Sequence, residues 1–490
     1  MRGAIQSCVT KLAAGAVIVL ILSPPVIKAF SVTKSSSSNT LKPSFLDKVL
    51  NDVQIWAIRH PRNVLSMLLL PPISVVEGLL ANNPTYLDRK RLMFGNIFCC
   101  AGQVVLGDFA TIESALTSPQ ARTYRLGQSV LNHKNLMVNG RDLFLLALSD
   151  PQITEGKDVN ANMHVTIRKA VLDLIINDAA LRRQRDSTAK RLLKEVAQDY
   201  QNMDHSTGGK FFTATDSGLK RFVIRYMHYV LFGLDPDDKV TMDFMTKLHF
   251  EMNGVAYFLS TIGKILQLFN IGGAKQWPSM WKKASNIYKS SPSLRNVSDS
   301  QMIEYGISLD EFTTILQPLI GIAAIPGPLG LANVALGAEK FPAYEGHQTS
   351  TIDQVACWDE IKDLNDRLAL EKHIYECGRL WTPVSACHRV ATTDFVTEMN
   401  GGGRNITFPQ GSTILIPMSL GMLSEEIWGP TAYEYDAERK NLCPFSMIFN
   451  SVGDRSNGRI CPGKDLSVNL VVELLQELGS VRRRGTLATS

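Results

Sequence analysis

The stretch that decides the reading is FNSVGDRSNGRICPGKDLSVNLVVELLQELG, Phe449 to Gly479. A Gly-rich polar loop runs into Cys461-Pro462-Gly463. Leu466, Leu470, Val471, Leu474 and Leu475 then recur at helical spacing, which predicts an amphipathic helix. Proline suits a first helical position, because its missing N–H would have no partner there. Cys461 is therefore expected at a helix N-terminus, where exposed amides and the helix dipole favour a thiolate. A thiolate on a glycine-lined loop is what an axial ligand to a flat iron macrocycle needs. The bland reading is a buried cysteine in a helix cap.

Working upstream, YECGRLWTPVSACHRVATTDF holds Glu376 and Arg379 three residues apart, on one face of a helix. An isolated pair of this kind is usually solvated, but this one lies among apolar residues. Trp428-Gly429-Pro430 follows, then AYEYDAERK with Arg439.

The order ExxR, arginine-bearing meander, cysteine and amphipathic helix resembles the cytochromes P-450. The resemblance implies haem b as cofactor, with Cys461 as the thiolate ligand of the iron. It places Arg459 and Arg389 on the haem propionates, with Gly463 lining the loop, and it makes Glu376, Arg379 and Arg439 the structural ion-pair network. Asn457 stands where that family usually has glycine, Phe449 lies farther upstream than its counterpart, and Ala437 and Lys440 replace a proline and an aromatic. The resemblance covers roughly the last third of the chain. The implied fold is mainly α with a minor β portion, the cytochrome P-450 fold.

The oxygen-activating members carry an acid followed by a threonine on the long helix over the haem. The corresponding stretch here is SLDEFTTILQPLIGIAAIPGPLGLANVALGAEK, Ser308 to Lys340. Between Gln317 and Glu339 its only polar side chain is Asn333. Acid–base work needs a titratable or hydroxylic group within reach. Thr313 and Thr314 fill that role only if the register shifts by more than a turn. Pro318, Pro326 and Pro328 are expected to kink or end the helix. LQPLIGIA resembles the distal helix of the bacterial fatty-acid peroxygenases, with Gln317 at their arginine position. CPGKDL and the long loop are similar to the plant-type allene oxide synthases and hydroperoxide lyases.

The resulting expectation is a haem-thiolate enzyme for a lipophilic, fatty-acid-like substrate, driven by hydrogen peroxide or a lipid hydroperoxide. Gln317 would orient the peroxide or head group, and Ala323 and Ala324, with Ile322 and Ile325, would form an apolar roof. Ordinary helix packing explains those four residues equally well. Two other readings stay open: a monooxygenase fed by a redox partner and acting on a terpenoid or carotenoid, and a haem-binding protein without catalysis.

Composition sets the outer bounds. The chain has 490 residues, 45% of them apolar, enough for a large core without disulfides. Eight cysteines, Cys8, Cys99, Cys100, Cys357, Cys377, Cys387, Cys443 and Cys461, show no zinc spacing and are too few for a disulfide scaffold. A net charge of +5 without a basic–aromatic patch argues against a nucleic-acid partner. Residues 1–44 read as a leader and linker, with 45–490 as one catalytic domain. Arg2 and Lys11 precede the apolar run Leu12–Ser23, too short to span a bilayer but of signal-peptide length. Ala29-Phe30 and an acid-free hydroxylated segment follow. This pair resembles the bipartite leader of secondary plastids; a secretory signal or an endoplasmic-reticulum anchor is the other reading.

A second apolar run, Val64–Leu80, contains Pro71-Pro72, which should preclude a straight helix. It either begins the core or makes a peripheral contact with a membrane. Further helices are expected over 162–176, 179–200, 220–232, 239–269, 309–338 and 352–380. Strands are expected at 104–106, 405–408 and 413–417, with a turn at Pro409-Gln410-Gly411.

Overall fold

The computed structural model describes residues 42–81, 84–117, 137–138, 141–142, 163–185, 187–202, 209–251, 267–391, 393–399, 404–440, 442, 447–449 and 460–488. The chain forms two compact units. The first takes residues 1–122, 342–350 and 385–434; the second takes 123–341, 351–384 and 435–490.

The first unit is built on a four-stranded mixed sheet in the order β1 (Ile97–Cys100), β2 (Gln103–Leu106), β8 (Thr413–Ile416), β5 (Cys387–Val390). β1 and β2 form a hairpin with Cys100 opposite Gln103, closed by Ala101 and Gly102, both at positive φ. That conformation gives the turn the twist a two-residue hairpin needs. β8 pairs parallel to β2 and antiparallel to β5. A separate hairpin joins β6 (Phe395–Met399) to β7 (Arg404–Phe408). Ile55, Ile58, Cys99, Val104, Ile406 and Phe408 form one buried cluster with it. The expected strands at 104–106, 405–408 and 413–417 are present within a residue at each end. Their partners β1, β5 and β6 went unread, because short runs such as IFCC carry no alternation.

Three helices precede and flank this sheet: Phe45–Arg59, Val64–Ala81 and Pro84–Phe94. The first opens with a capping box, in which Ser44 and Asp47 satisfy each other's backbone amides. The second corrects the sequence reading, since the helix runs on through Pro71-Pro72. Its buried side is pinned by Glu77, whose carboxylate accepts from Tyr86 Oη at 3.0 Å, from Lys90 Nζ and from the Ala101 amide at 2.7 Å. Tertiary contacts of this kind override local propensity.

The described part of the second unit is helical apart from a short ladder between β3 (Met137–Val138) and β4 (Arg141–Asp142). Gly218–Phe232, Arg367–Leu380 and Lys464–Ala488 pack with a central stretch, Leu309–Ala335, and Ser187–Gln201 packs on Gly218–Phe232 and Lys464–Ala488. Among the described residues only that stretch is long and apolar enough to cross a membrane. Of its most apolar window 56% is buried, as in a core helix. It starts at a capping box formed by Ser308 and Glu311. Pro318 lies inside it and interrupts the regular α-helix without ending it. The missing N–H is accommodated by a π-turn at Ile320–Ala324, where Ile325 N reaches back to Ile320 O at 3.1 Å, and the α-helix resumes at Pro326. The expected helix over 162–176 also ends in a π-turn, Leu172–Ile176. The one expected over 179–200 is two helices, Asn177–Arg185 and Ser187–Gln201. Residues 252–266 of the 239–269 expectation lie outside the described set.

Burial depresses the imidazoles of His228 and His388 to about 4, one in each unit. In an unfolded chain they would protonate near ~6.5. As pH falls from that value toward 4, the unfolded state takes up protons first, so stability drops across this window. We expect a lower melting midpoint at pH 4.5 than at pH 7 in calorimetry. A midpoint that holds steady or rises would contradict this.

Candidate functional site

The helix Lys464–Ala488 places the cysteine. Leu466, Leu470, Val471, Leu474 and Leu475 are all buried, as their spacing requires. The helix proper begins two residues later than expected. Cys461-Pro462-Gly463 makes a tight turn, with Lys464 N donating to Cys461 O at 3.2 Å. Ser467 N to Gly463 O at 2.9 Å is the first helical bond. Pro462 therefore rigidifies the approach rather than occupying the first helical position.

The turn is held from behind. Ile460 is buried, and its carbonyl accepts from Arg168 Nη1 at 2.7 Å. Cys461 N donates to Phe449 O at 3.0 Å, so the two ends of the long loop meet. The phenylalanine that looked too far upstream is thus brought to the cysteine through its backbone. Tyr375 and Phe449 meet edge to face, and the Lys464 ammonium lies 5.8 Å from both ring centroids. Arg459 and the loop residues 450–459 lie outside the described set.

Cys461 itself is half-buried. Burial pushes its thiol above the ordinary value, while the Gly463 amide and the Arg168 guanidinium pull it down. The sequence argument weighed only the second effect. Coordination to a metal cation is what ionises such a thiol outright. A Cβ built at Gly463 would meet only the Cys461 sulfur, at 3.8 Å, so glycine leaves that side of the sulfur clear. Among the described residues no three His, Cys, Asp or Glu side chains cluster to hold a bare metal ion. A lone thiol with amide and guanidinium support therefore fits an iron whose remaining ligands come from a macrocycle.

The expected ion-pair network is present. Glu376 and Arg379 are both fully buried. Arg379 donates through Nε to Oε2 at 2.8 Å and through Nη2 to Oε1 at 2.7 Å. Arg439 Nε and Asp436 N each reach Oε1 at 3.0 Å. Beside it, Tyr435 Oη and His373 Nδ1 lie 2.7 Å apart, and His373 Nε2 is 3.0 Å from Ala335 O. Burial lowers His373 to about 4, so the ring is neutral and one nitrogen donates while the other accepts. Neither residue of this second clamp belongs to a motif, so spacing alone does not reveal it.

On the long central stretch, Gln317 is buried and its amide donates to Ser285. Ile322, Ala323 and Ala324 are partly accessible, whereas Ile325 is fully packed. The π-turn thus exposes small apolar side chains in the middle of an otherwise buried helix. Gly321 in the same turn lies against Trp281 and the His249 imidazole, which would be 3.4 and 3.8 Å from a Cβ built there. Neither neighbour was foreseen. Thr313 Oγ1 donates to Leu309 O at 3.0 Å and Thr314 Oγ1 to Asp310 O at 2.8 Å, so both hydroxyls bond back to their own helix. Arg389 lies on β5 in the first unit, buried, with Nη1 donating to His388 O at 2.9 Å.

No family model matches the chain, and no curated protein matches it. Solved structures do. A P-450 haem domain from Tepidiphilus thermophilus is 16% identical with a TM-score of 0.52, over 82% of this chain and 86% of that one. A cytochrome P-450 from Chondromyces apiculatus is 12% identical with a TM-score of 0.50, over 82% and 88%. The P-450 BioI, solved with an acyl carrier protein ligated to hexadec-9Z-enoic acid, is 12% identical with a TM-score of 0.50, over 78% and 85%. The fold of this chain is the cytochrome P-450 fold, mainly α with a minor β portion.

Removing the charge of Glu376 strands two buried guanidinium groups, which costs about 3–5 kcal/mol. We expect Glu376→Gln to lower the denaturant midpoint sharply and Arg439→Ala to do so less, because Arg439 is the more accessible arginine. Equal, small losses for both would contradict the network.

Proposed function

We propose that the chain is a haem-thiolate oxidoreductase acting on a lipophilic fatty-acid or lipid-hydroperoxide-like substrate, driven by a peroxide. The observation that carries the proposal is the pairing, within one unit, of the Cys461 turn with a central helix free of titratable side chains from Pro318 to Ala338. A haem held by Cys461 would supply the redox chemistry, with the thiolate donating electron density that favours O–O cleavage.

The chain's own residues have the following parts. Cys461 holds the iron, and the Gly463 amide and Arg168 offset the charge on the sulfur. Arg389 and Arg459 take the propionates, an assignment resting on the resemblance alone. Glu376, Arg379 and Arg439 fix the meander to its helix. Ile322, Ala323 and Ala324 offer an apolar wall to a chain-like substrate. Gln317, held by Ser285, supplies a neutral amide that orients a polar head group or peroxide without transferring a proton. A substrate that already contains the O–O bond needs no relay of the kind that an acid and a threonine provide.

A monooxygenase fed by a redox partner is disfavoured by the two threonines, whose hydroxyls bond back to their own helix carbonyls. The run Leu12–Ser23 and the hydroxylated segment after it, as the bipartite leader they resemble, would place the chain in a plastid, and as a secretory signal or anchor at the endoplasmic reticulum.

The test uses the full chain loaded with haem. The carbon monoxide difference spectrum of the reduced protein should show the red-shifted Soret band of thiolate ligation and lose it in Cys461→Ala. Without any reductase, a fatty-acid hydroperoxide or hydrogen peroxide with a fatty acid should be turned over. Gln317→Ala should raise KM roughly tenfold through one lost hydrogen bond to a polar group. Turnover only with a reductase and dioxygen would establish the monooxygenase reading instead. A normal spectrum with no turnover under either regime would leave a haem-binding protein.

A further inference from the structure

The helix Trp277–Lys289 and the π-turn Lys247–Glu251 bring side chains against the central helix that neither the ion-pair network nor the cysteine turn uses. Trp281 and Ser285 lie four apart, on one side of their helix. Trp281 meets the turn at Gly321, and Ser285 accepts from the Gln317 amide. Gln317 and Gly321 are themselves four apart. His249 completes the group, since its Nδ1 and Cε1 would stand 3.8 and 4.0 Å from a Cβ at Gly321. The residues that follow Gly321 are the partly accessible Ile322, Ala323 and Ala324. All of these belong to the second unit.

The polar groups gathered here are uncharged. His228 Nδ1 lies 2.9 Å from Ile224 O and must donate to it, which leaves Nε2 to accept from Tyr288 Oη at 3.3 Å. His228 is therefore satisfied within the fold. His249, whose ring centroid is 5.5 Å from that of His228, is not. Its Nε2 is shut off from water and has no hydrogen-bond partner among the described residues. Burial, and then the neighbouring His228, hold this imidazole well below its ordinary value, so the ring is neutral. Among the described residues no lysine, arginine or carboxylate bears on it. A buried donor or acceptor left unpaired costs stability, and a group retained at that cost points to function.

We propose that Gln317 and His249 form an uncharged polar subsite beside the apolar wall, which hydrogen-bonds a hydroxyl, hydroperoxide or ester oxygen of the lipid and turns away a free carboxylate. The proposal rests on the lipophilic-substrate reading and narrows it to a neutral lipid. An amide and a neutral imidazole both donate and accept, which suits an uncharged oxygen function. A carboxylate in the same place would be buried without a countercharge, a far larger penalty than one missing hydrogen bond. A site built around hydrogen bonds also rejects the analogue that cannot make them.

The test is equilibrium dialysis of radiolabelled dodecanol, dodecanoate and dodecane against the full haem-loaded chain at pH 8, with no oxidant or reductant. Wild type should bind dodecanol at least roughly tenfold more tightly than dodecanoate. His249→Leu should weaken dodecanol roughly tenfold and leave dodecane unchanged, because one hydrogen bond is lost and no packing. Its melting midpoint should hold or rise, since the imidazole has no partner to lose. His249→Gln should restore dodecanol binding, and Gln317→Leu should weaken it as His249→Leu does. If His249→Leu weakens dodecane as much as dodecanol, or lowers the midpoint and leaves dodecanol untouched, His249 is a packing residue and the proposal falls. It falls equally if dodecanoate binds wild type as tightly as dodecanol, because a cation then serves the subsite. Failure of peroxide-driven turnover would overturn the reaction assigned above and leave these binding results standing.

Discussion

The carboxylate of Glu376 is the constraint on which the second unit depends. It is fully buried, and its Oε1 alone accepts from Arg379, Arg439 and the Asp436 amide. A buried charge survives only when its hydrogen-bonding capacity is filled and its countercharge lies close. That requirement ties the meander around residues 435–439 to the helix Arg367–Leu380. The Tyr435–His373 contact and the Lys372–Glu438 ion pair repeat the tie one turn earlier on that helix. Glu376 therefore fixes a loop that has no regular secondary structure of its own.

The cysteine turn has supports of its own. The turn Cys461–Gly463 is not regular helix, and its position comes from backbone bonds to Phe449 and from Arg168 on Ile460. Burial raises the thiol while one amide and one guanidinium lower it. A sulfur held under opposing pressures of this kind is suited to a cation that decides its protonation. Function in the proposed sense then divides between two helices of the same unit. One presents the thiol, and the other contributes small apolar side chains and the amide of Gln317 but no acid.

The site was legible where chemistry requires particular residue types at a fixed spacing. The bidentate pair Glu376–Arg379 and the buried face of the last helix follow from pattern, and the pair's third member Arg439 from the family resemblance. The strands around Val104 and Thr413 also follow from pattern, because each has a turn beside it. Residues whose roles come from tertiary packing were not legible. His373, Trp281 and His249 belong to no motif, and the strand Cys387–Val390 contains a histidine and an arginine that mask its alternation. The helix through Pro71-Pro72 is the clearest miss. A local rule about proline is sound for an isolated helix, but Glu77 and its partners Tyr86, Lys90 and the Ala101 amide secure this one from outside. At Pro318 the sequence signals a break in the regular helix, but not that the chain takes it up as a π-turn at Ile320–Ala324.

The central claim is that the Cys461 sulfur is a ligand of a haem iron. X-ray absorption at the iron edge of the full haem-loaded chain tests it directly. The account predicts one sulfur scatterer in the first coordination shell beside the macrocycle nitrogens, absent in Cys461→His. A first shell of nitrogen and oxygen alone in the unsubstituted protein, or a sulfur that persists in Cys461→His, would contradict it.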